Sequence, residues 1–396
     1  YMAQVPLMPY LTKELGAESS AAYGALQTVF SAFQLVGGLL SGPFVDRYGG
    51  RALLAVSFLA SFASYLTTAT ATSMAALYAS RLFTLAQHAV LAARTIVTAA
   101  TGDEDRARLL GYVGVAYGVG FAAGPAIGGV LSQVSLRFAA HVAAFGSLAA
   151  WGAVVLLVPA DTGKQAGQGT AGSSSSSAPA KPGLRQSLGV LRVREVRLLL
   201  GGKLLIGLAG GMLQAVFSLL LQRTYGLTSK QNGLVLSYVG VATMVCQVTL
   251  VGPAQRRLRP RTAGLGCAAL MAAGYLALGV SRQLPVLMAS LLPIAAGGVV
   301  LATLNTAQLT QAVPSHVAGS VLALDMALGS GVRMLTPGLA TGLFEAAGSL
   351  AVGCVAAGLM LLLILADVVG LASPALDGVG AGRQATGEGD ETKKSQ

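Results

Sequence analysis

The chain has 396 residues, of which 54% are hydrophobic and only 10% are charged, and its mean hydropathy is +0.68. Soluble domains carry roughly 25% charged residues, so this composition excludes a water-soluble globular protein and predicts a polytopic membrane protein. The formal net charge is +11, but the basic residues are scattered over many short loops, a distribution that speaks against nucleic-acid binding.

Apolar stretches long enough to cross a bilayer follow one another along the chain. A bilayer core needs about 20 apolar residues per helix. The predicted spans, eleven in number, are 22–45, 52–71, 75–99, 108–132, 138–158, 198–222, 231–253, 262–281, 285–312, 317–343 and 348–370. The opening YMAQVPLMPYL reads as the outer half of a further helix, so we expect a twelve-helix protein whose first helix is incomplete in this chain.

Basic residues fall mainly in alternate loops, which predicts the orientation in the membrane. One set of loops holds most arginines and lysines, whereas the other set holds only Lys13, Arg137, Arg223, Lys230 and Arg282. The positive-inside rule places the basic set in the cytoplasm. Anionic lipid headgroups attract these loops, so membrane lipids are expected partners.

A polar segment divides the chain into two halves of six helices, 1–158 and 198–370. Residues 159–197 are rich in Gly, Ser and Pro before a run of leucines and arginines, which predicts a cytoplasmic linker. The linker ends either in an amphipathic surface helix or in a loosely ordered basic lead-in. Residues 371–396 are expected to form a disordered cytoplasmic tail. Repeated halves are typical of transporters, whose substrate cavity lies between them.

A glycine-rich segment, GYVGVAYGVGFAAGPAIGG, fills the fifth predicted helix. Its distinctive positions are Gly111, Gly120, Gly124, Pro125, Gly128 and Gly129. Small residues let helix backbones approach closely, and proline bends a membrane helix. The spacing resembles the fifth-helix motif of proton-coupled antiporters in the major facilitator superfamily. That resemblance implies a kinked, tightly packed hinge that seals one side of the cavity, and an ordinary close-packed helix pair is the alternative.

A second motif, GPFVDRYGGR, falls in a predicted cytoplasmic loop after the second helix. It is similar to the G-x-x-x-D-R-x-G-R loop of the same superfamily. The matching positions are Gly42, Asp46, Arg47, Gly49 and Arg51. The resemblance implies that Asp46 faces the start of the eleventh helix and latches the halves together, with Arg47 and Arg51 as its partners. Charge beside a helix terminus is favourable by up to about 1 kcal/mol. A solvated tight turn is the alternative.

The motifs together resemble the drug–proton antiporter-like branch of the superfamily, and residues 5–60 resemble its organic cation transporter-like solute carriers. The resemblance implies the major facilitator fold, an all-α membrane protein of two six-helix bundles. It further implies antiport of protons against organic cations and lipophilic amine drugs, driven by the proton gradient without a cofactor. The expected location is the apical plasma membrane or an intracellular membrane such as the endoplasmic reticulum, and the expected working unit is a monomer.

Charged side chains inside the spans are candidates for proton coupling, because intramembrane charges are costly and usually functional. The candidates are Asp325, Arg81, His88, Lys203 and Arg333. Asp325, the carboxylate well inside a predicted span, is either the proton site or an ion-pair partner of Lys203 or Arg333. Arg81 is either a proton-relay arginine or snorkels to the outer interface, since the Gln-Gly pair that follows it in antiporters is absent here. His88, in the middle of the fourth predicted helix, is either a proton-exchange group or a packed polar residue.

Uncharged polar side chains within the spans are candidates for lining the cavity or for bonding between helices. They are Gln27, Gln34, Gln214, Asn305 and Gln308. The histidines and cysteines are not clustered, so no metal site is predicted. The sequence holds no HExxH, no phosphate-binding loop and no GxSxG with its partners, so it predicts no enzyme. The functional alternatives to an antiporter are a uniporter or lipid-related protein without proton coupling, and a membrane scaffold acting through its linker and tail.

Overall fold

The structure is a computed structural model that describes residues 1–17, 19–159, 194–257, 259–313 and 315–369. All regular elements within these residues are helices. The α-helices are α1 (Met8–Glu14), α2 (Ser20–Tyr48), α3 (Gly50–Ala69), α4 (Met74–Leu82), α5 (Ala89–Ala100), α6 (Asp103–Leu131), α7 (Leu136–Leu157), α8 (Arg194–Tyr225), α9 (Ser229–Arg257), α10 (Pro260–Val280), α11 (Leu284–Gln311) and α12 (Ser315–Val368). Short 3-10 helices cover Met2–Gln4 and Phe83–Ala86.

Ten helical stretches in the described part of the chain are long and apolar enough to cross a membrane. Nine of them coincide with one predicted span each, and the tenth, Leu324–Val368, holds the last two predicted spans. Within α12 the backbone turns at Gly348, where φ is +72°. This turn joins two successive spans. Residues with a side chain rarely adopt its conformation, which explains why a glycine occupies the position. The all-α membrane fold predicted from the sequence is confirmed.

The opening segment is not the single half-helix that the sequence predicts. A 3-10 helix covers Met2–Gln4, and α1 begins only at Met8, with Pro9 in its first turn. Pro6 lies between the two pieces. Since proline lacks a backbone N–H donor, Pro6 and Pro9 interrupt the helical hydrogen bonding here.

The linker and tail lie almost entirely outside the described residues. Helix α8 begins at Arg194, four residues before the predicted boundary at residue 198, so the end of the predicted linker is helical. Residues 160–193 and 370–396 are not described. The amphipathic helix and the disordered tail therefore stay predictions.

The fourth predicted span, 75–99, is broken in its middle. Helix α4 ends at Leu82, a 3-10 turn follows, and α5 begins at Ala89. Gly37 of α2 lies against this break, where an added Cβ would collide with the carbonyl oxygen of Leu85. The close approach of α2 thus requires glycine, and it places α2 directly against the irregular backbone.

The two halves contact each other mainly at one end of the bundle, here called the outer end, which carries residues 70–73, 226–228 and 281–283. Helix α2 crosses to α12, and α6 crosses to α9. An added Cβ at Gly24 of α2 would collide with Thr341 of α12. Toward the opposite, inner end of the same helices, added Cβ atoms at Gly42 and Gly331 would meet open space. The contacts between the halves at these positions therefore lie at the outer end.

Candidate functional site

A cavity of about 540 Å³ lies between the two halves. This volume falls within the range of about 300–1,000 Å³ that is usual for small-molecule sites. The opening segment, α2 and α6 line it from the N-terminal half, and α8 to α12 line it from the C-terminal half. Its aromatic side chains include Tyr1, Tyr23, Phe30, Phe121, Phe217 and Tyr275. The cavity is thus suited to a compound with an apolar or aromatic body.

A few polar side chains interrupt this apolar lining. Gln27 and Gln214, both predicted to face the cavity, are among the lining residues. Gln27 Nε2 donates to the Tyr23 hydroxyl at 2.9 Å. The Tyr275 hydroxyl is buried and has no hydrogen-bond partner among the described residues. Arg333 also lines the cavity, and its guanidinium donates to Ser330 Oγ at 3.0 Å on its own helix.

The glycine-rich helix α6 is closely packed along its outer part only. An added Cβ at Gly124 would lie 2.7 Å from Met2 Cβ, and one at Gly129 would lie 3.0 Å from the carbonyl oxygen of Lys230 in α9. At Gly128 it would collide with the backbone of the opening segment. Added Cβ atoms at Gly111 and Gly120 would have no heavy atom within 4 Å. The tight packing implied by the resemblance therefore holds from Gly124 to Gly129 and not at the two inner glycines.

Across this contact, α9 brings its own glycine against the proline of α6. An added Cβ at Gly233 would collide with the Pro125 carbonyl oxygen, and the Ser237 hydroxyl accepts a hydrogen bond from the Ala126 amide at 2.8 Å. Pro125 has no backbone N–H to donate, so α6 contacts α9 through the Pro125 carbonyl oxygen and the Ala126 amide. The α6–α9 contact thereby closes the outer end of the cavity.

The second motif is mostly helical rather than the loop that the sequence predicts. Helix α2 continues through Asp46 and Arg47, and Gly49, with φ +84°, joins it directly to α3. Arg51 donates to the Val155 carbonyl oxygen of α7 at 2.8 Å. The Arg47 guanidinium lies over the Tyr48 ring, 5.3 Å from its centre. These contacts lie within the N-terminal half, and the latch role of Asp46 between the halves stays a prediction.

A buried ion pair connects two helices of the C-terminal half. Lys203 Nζ of α8 lies 2.5 Å from Asp325 Oδ2 of α12, and the two side chains are 26% and 9% exposed. Lys203 also donates to Thr306 Oγ1 of α11 at 3.5 Å. The second carboxylate oxygen of Asp325 is buried without a hydrogen-bond partner among the described residues. Of the two partners that the sequence left open for Asp325, the structure selects Lys203 and not Arg333.

Arg81 is buried inside the N-terminal half. It is 6% exposed, and its guanidinium donates to the sulfur of Met8 at 3.0 Å. It lines a cavity of about 20 Å³ together with Tyr1, Gln4 and Gln27, next to the central cavity. The Arg81 side chain therefore does not extend to the outer interface, as the snorkelling alternative expected. A relay role for Arg81 stays a prediction.

His88 does not lie in the middle of a helix, which corrects the sequence prediction. It immediately precedes α5, at the break in the fourth span. Its backbone amide donates to Ser57 Oγ at 3.1 Å. An added Cβ at Gly37 would lie 2.6 Å from His88 Nε2. His88 thus packs against α2 and is not among the described lining residues of the central cavity.

Three of the polar residues predicted to line the cavity lie elsewhere. Gln34 donates to the Gln87 carbonyl oxygen at 3.4 Å and thereby covers the broken span. Asn305 and Gln308 line a separate pocket of about 80 Å³ within the C-terminal half, beside the Arg261–Asp367 ion pair of 2.9 Å. Gln34 and Asn305 bond between helices, Asn305 by donating to the Leu199 carbonyl oxygen at 3.2 Å, which is the alternative that the sequence left open.

Tyr275 is a cavity residue that sequence reasoning missed. It is 1% exposed and is among the residues that line the cavity from α10. The available signal was that Tyr275 is the one tyrosine of an otherwise apolar span. A buried tyrosine hydroxyl usually has a partner, so this position marks a place where a bound molecule would complete the hydrogen bonding.

The chain is similar to known transporters over most of its length. The family described as Major Facilitator Superfamily matches residues 1–337. Solute carrier family 67 member A1 of Homo sapiens is 33% identical over 264 residues, which are 63% of this chain and 60% of that protein. Solute carrier family 22 member 18 of Mus musculus is 31% identical over 359 residues, 87% of this chain and 86% of that protein. The resemblance stated from the motifs is thereby confirmed.

A bacterial relative and a solved structure agree with this assignment. Tetracycline resistance protein, class G, of Vibrio anguillarum is 30% identical over 325 residues, 80% of this chain and 79% of that protein. The crystal structure of the nucleoside transporter NupG shares the fold, with a TM-score of 0.72 and 12% identity over 93% of this chain and 96% of that chain. The chain therefore belongs to the Major Facilitator Superfamily and is a multi-pass integral membrane transporter of its drug–proton antiporter-like branch.

Proposed function

We propose that this chain moves a small organic compound across its membrane by alternating access, in exchange for protons. The observation that carries the transport step is the cavity between the halves, with close contacts between the halves at its outer end. Rocking one bundle of helices against the other would close the inner end and open the outer one, which is how repeated halves transport a substrate held between them.

The Lys203–Asp325 ion pair is the group that we assign to proton coupling. A carboxylate that is 9% exposed and 2.5 Å from an ammonium group loses its charge, and with it the ion pair, when it takes up a proton. Lys203 contacts both α11 and α12, so loss of the pair changes how three helices are held together. Breaking a buried ion pair costs about 3–5 kcal/mol, which is enough to shift the balance between two conformations. The proton gradient supplies the energy, and no cofactor takes part.

Proteoliposomes that hold a pH-sensitive dye would test the coupling. The full-length chain is reconstituted, and a panel of lipophilic amines and carboxylates is added outside. We expect at least one compound to drive proton movement in the wild type and Asp325→Asn to abolish it. Asp367→Asn is the matched control, because Asp367 forms the Arg261 ion pair of 2.9 Å in the same half but does not contact Lys203. Equal proton movement in wild type and Asp325→Asn would refute this role of Asp325.

A uniporter without proton coupling is the second candidate function. It is favoured by one observation: no carboxylate is among the described residues that line the central cavity. A uniporter would move substrate at the same rate with and without a protonophore. Substrate accumulation that a protonophore collapses would instead support the antiporter.

For the location, we propose the plasma membrane, with an intracellular membrane such as the endoplasmic reticulum as the alternative. Surface biotinylation of cells that express the full-length chain separates the two. Labelling at the level of a known surface protein supports the first, and protection from the reagent supports the second.

A further inference from the structure

The charge of the central cavity indicates which substrates it binds. Arg333 is the one charged side chain among the described lining residues. The carboxylate of Asp325, eight residues before Arg333 on α12, is held by Lys203 at 2.5 Å and does not line the cavity. Arg333 itself donates to Ser330 Oγ, and a guanidinium carries five N–H donors. Most of its donors are therefore available to a bound molecule.

A second hydrogen-bond donor is found on α10, at another residue that lines the cavity. The Tyr275 hydroxyl is buried without a partner in the described part of the chain. An added Cβ at Gly210 of α8 would lie 3.9 Å from this hydroxyl, and one at Gly211 would lie 3.0 Å from the side chain of Thr336. Thr336 is one helical turn beyond Arg333, and residues three apart share a helix face. The glycine pair of α8 is thus flanked by Tyr275 on one side and by the Arg333 face of α12 on the other.

We propose that the central cavity binds an organic anion, a compound with an aromatic or lipophilic body and a carboxylate or sulfonate group. Arg333 binds the charged group, and Tyr275 donates a hydrogen bond to the bound compound. This inference rests on the proposed transport through the central cavity and names its substrate class. An organic cation in the same position would meet the positive charge of Arg333 without a carboxylate in the described lining to offset it.

Three probes that share one aromatic body test the charge preference. They are naphthaleneacetate, its neutral amide, and naphthylethylamine, measured by equilibrium binding to the full-length chain in detergent without a proton gradient. We expect the carboxylate to bind more tightly than the amide, and the amine to bind most weakly. A wild type that binds the carboxylate no more tightly than the amide or the amine overturns the proposal.

Substitutions at position 333 locate the preference. We expect Arg333→Gln to weaken carboxylate binding by about 10- to 100-fold, the usual range for a hydrogen bond to a charged group. Amide binding should stay within about twofold, since amides do not need the charge. Arg333→Lys should retain part of the preference, and Arg282→Gln, which removes an exposed arginine outside the cavity lining, should retain all of it. Equal losses for carboxylate and amide in Arg333→Gln would show a structural role and overturn the assignment.

The two proposals fail separately, because this binding measurement uses no gradient. Carboxylate binding without any proton movement in the proteoliposomes would remove the coupling and keep the substrate class. Proton movement driven by amines alone would keep the coupling and remove the substrate class.

Discussion

Lys203→Met is expected to destabilise the C-terminal half by about 3 kcal/mol. The substitution leaves Asp325 without its cation in a site where the carboxylate side chain is 9% exposed. Removing one partner of a buried ion pair typically costs about 3–5 kcal/mol. Lys203 is 26% exposed, so water reaches part of the pair and the lower end of this range applies. One carboxylate oxygen already lacks a hydrogen-bond partner among the described residues, so few other groups offset the loss.

The cysteines provide an assay that reports on this half alone. The chain has three, Cys246, Cys267 and Cys354, and all lie in α9, α10 and α12. Cys354 is exposed, whereas Cys246 and Cys267 are part-buried, so in a Cys354→Ser background a thiol-reactive fluorophore records thermal unfolding of the C-terminal half. For a domain of about 150–250 residues, each kcal/mol shifts Tm by roughly 2–4 °C. The expected decrease for Lys203→Met is thus about 6–12 °C.

The double variant Lys203→Met with Asp325→Leu provides the decisive comparison. Replacing both members of a buried pair with apolar side chains is often neutral. We expect the double variant to recover to within about 1 kcal/mol of the wild type. A double variant as unstable as Lys203→Met, or a single variant with unchanged Tm, would show that the pair does not couple these helices and would refute the reasoning.

Three further predictions concern glycines. Gly233→Leu should lower Tm and weaken closure of the outer end, because its side chain would collide with the Pro125 carbonyl oxygen. A side chain at position 120 has no heavy atom within 4 Å of its Cβ, so Gly120→Leu should leave Tm unchanged. The same variant should block transport, since the inner end must close in each cycle. A transporting Gly120→Leu variant would contradict this. Gly348→Ala should cost about 1–3 kcal/mol, because the backbone at this turn has φ +72° and ψ −163°. Thermal unfolding of the same half would measure the loss, and an unchanged Tm would show that the turn adjusts.

The membrane-spanning helices could be predicted from the sequence because the bilayer imposes a length and a composition on each one. The break between α4 and α5 could not, because its cause lies in another helix. Gly37 of α2 permits the backbone of Leu85 and the side chain of His88 to approach, and no local pattern around residue 85 predicts that contact. Hydropathy therefore reports where a span lies and not whether it is continuous.

The site was predictable in kind but not in arrangement. Charges inside spans pointed to Lys203, Asp325 and Arg333, but which of them pair depends on helix packing between residues 122 positions apart. Gln27 and Gln34 share a helix face, yet seven residues separate them by about 10 Å along the axis. That distance places Gln27 at the cavity and Gln34 at the broken span.

The uncovered inner glycines of α6 also make this carrier easy to trap. If a helix surface is exposed in one conformation and packed against a neighbour in the other, an added side chain fits only the first conformation. A side chain added at Gly111 or Gly120, where nothing lies within 4 Å, acts as a wedge that leaves the present conformation intact. Such a wedged carrier would be a homogeneous sample for structure determination, for raising conformation-selective antibodies and for binding measurements on the cavity.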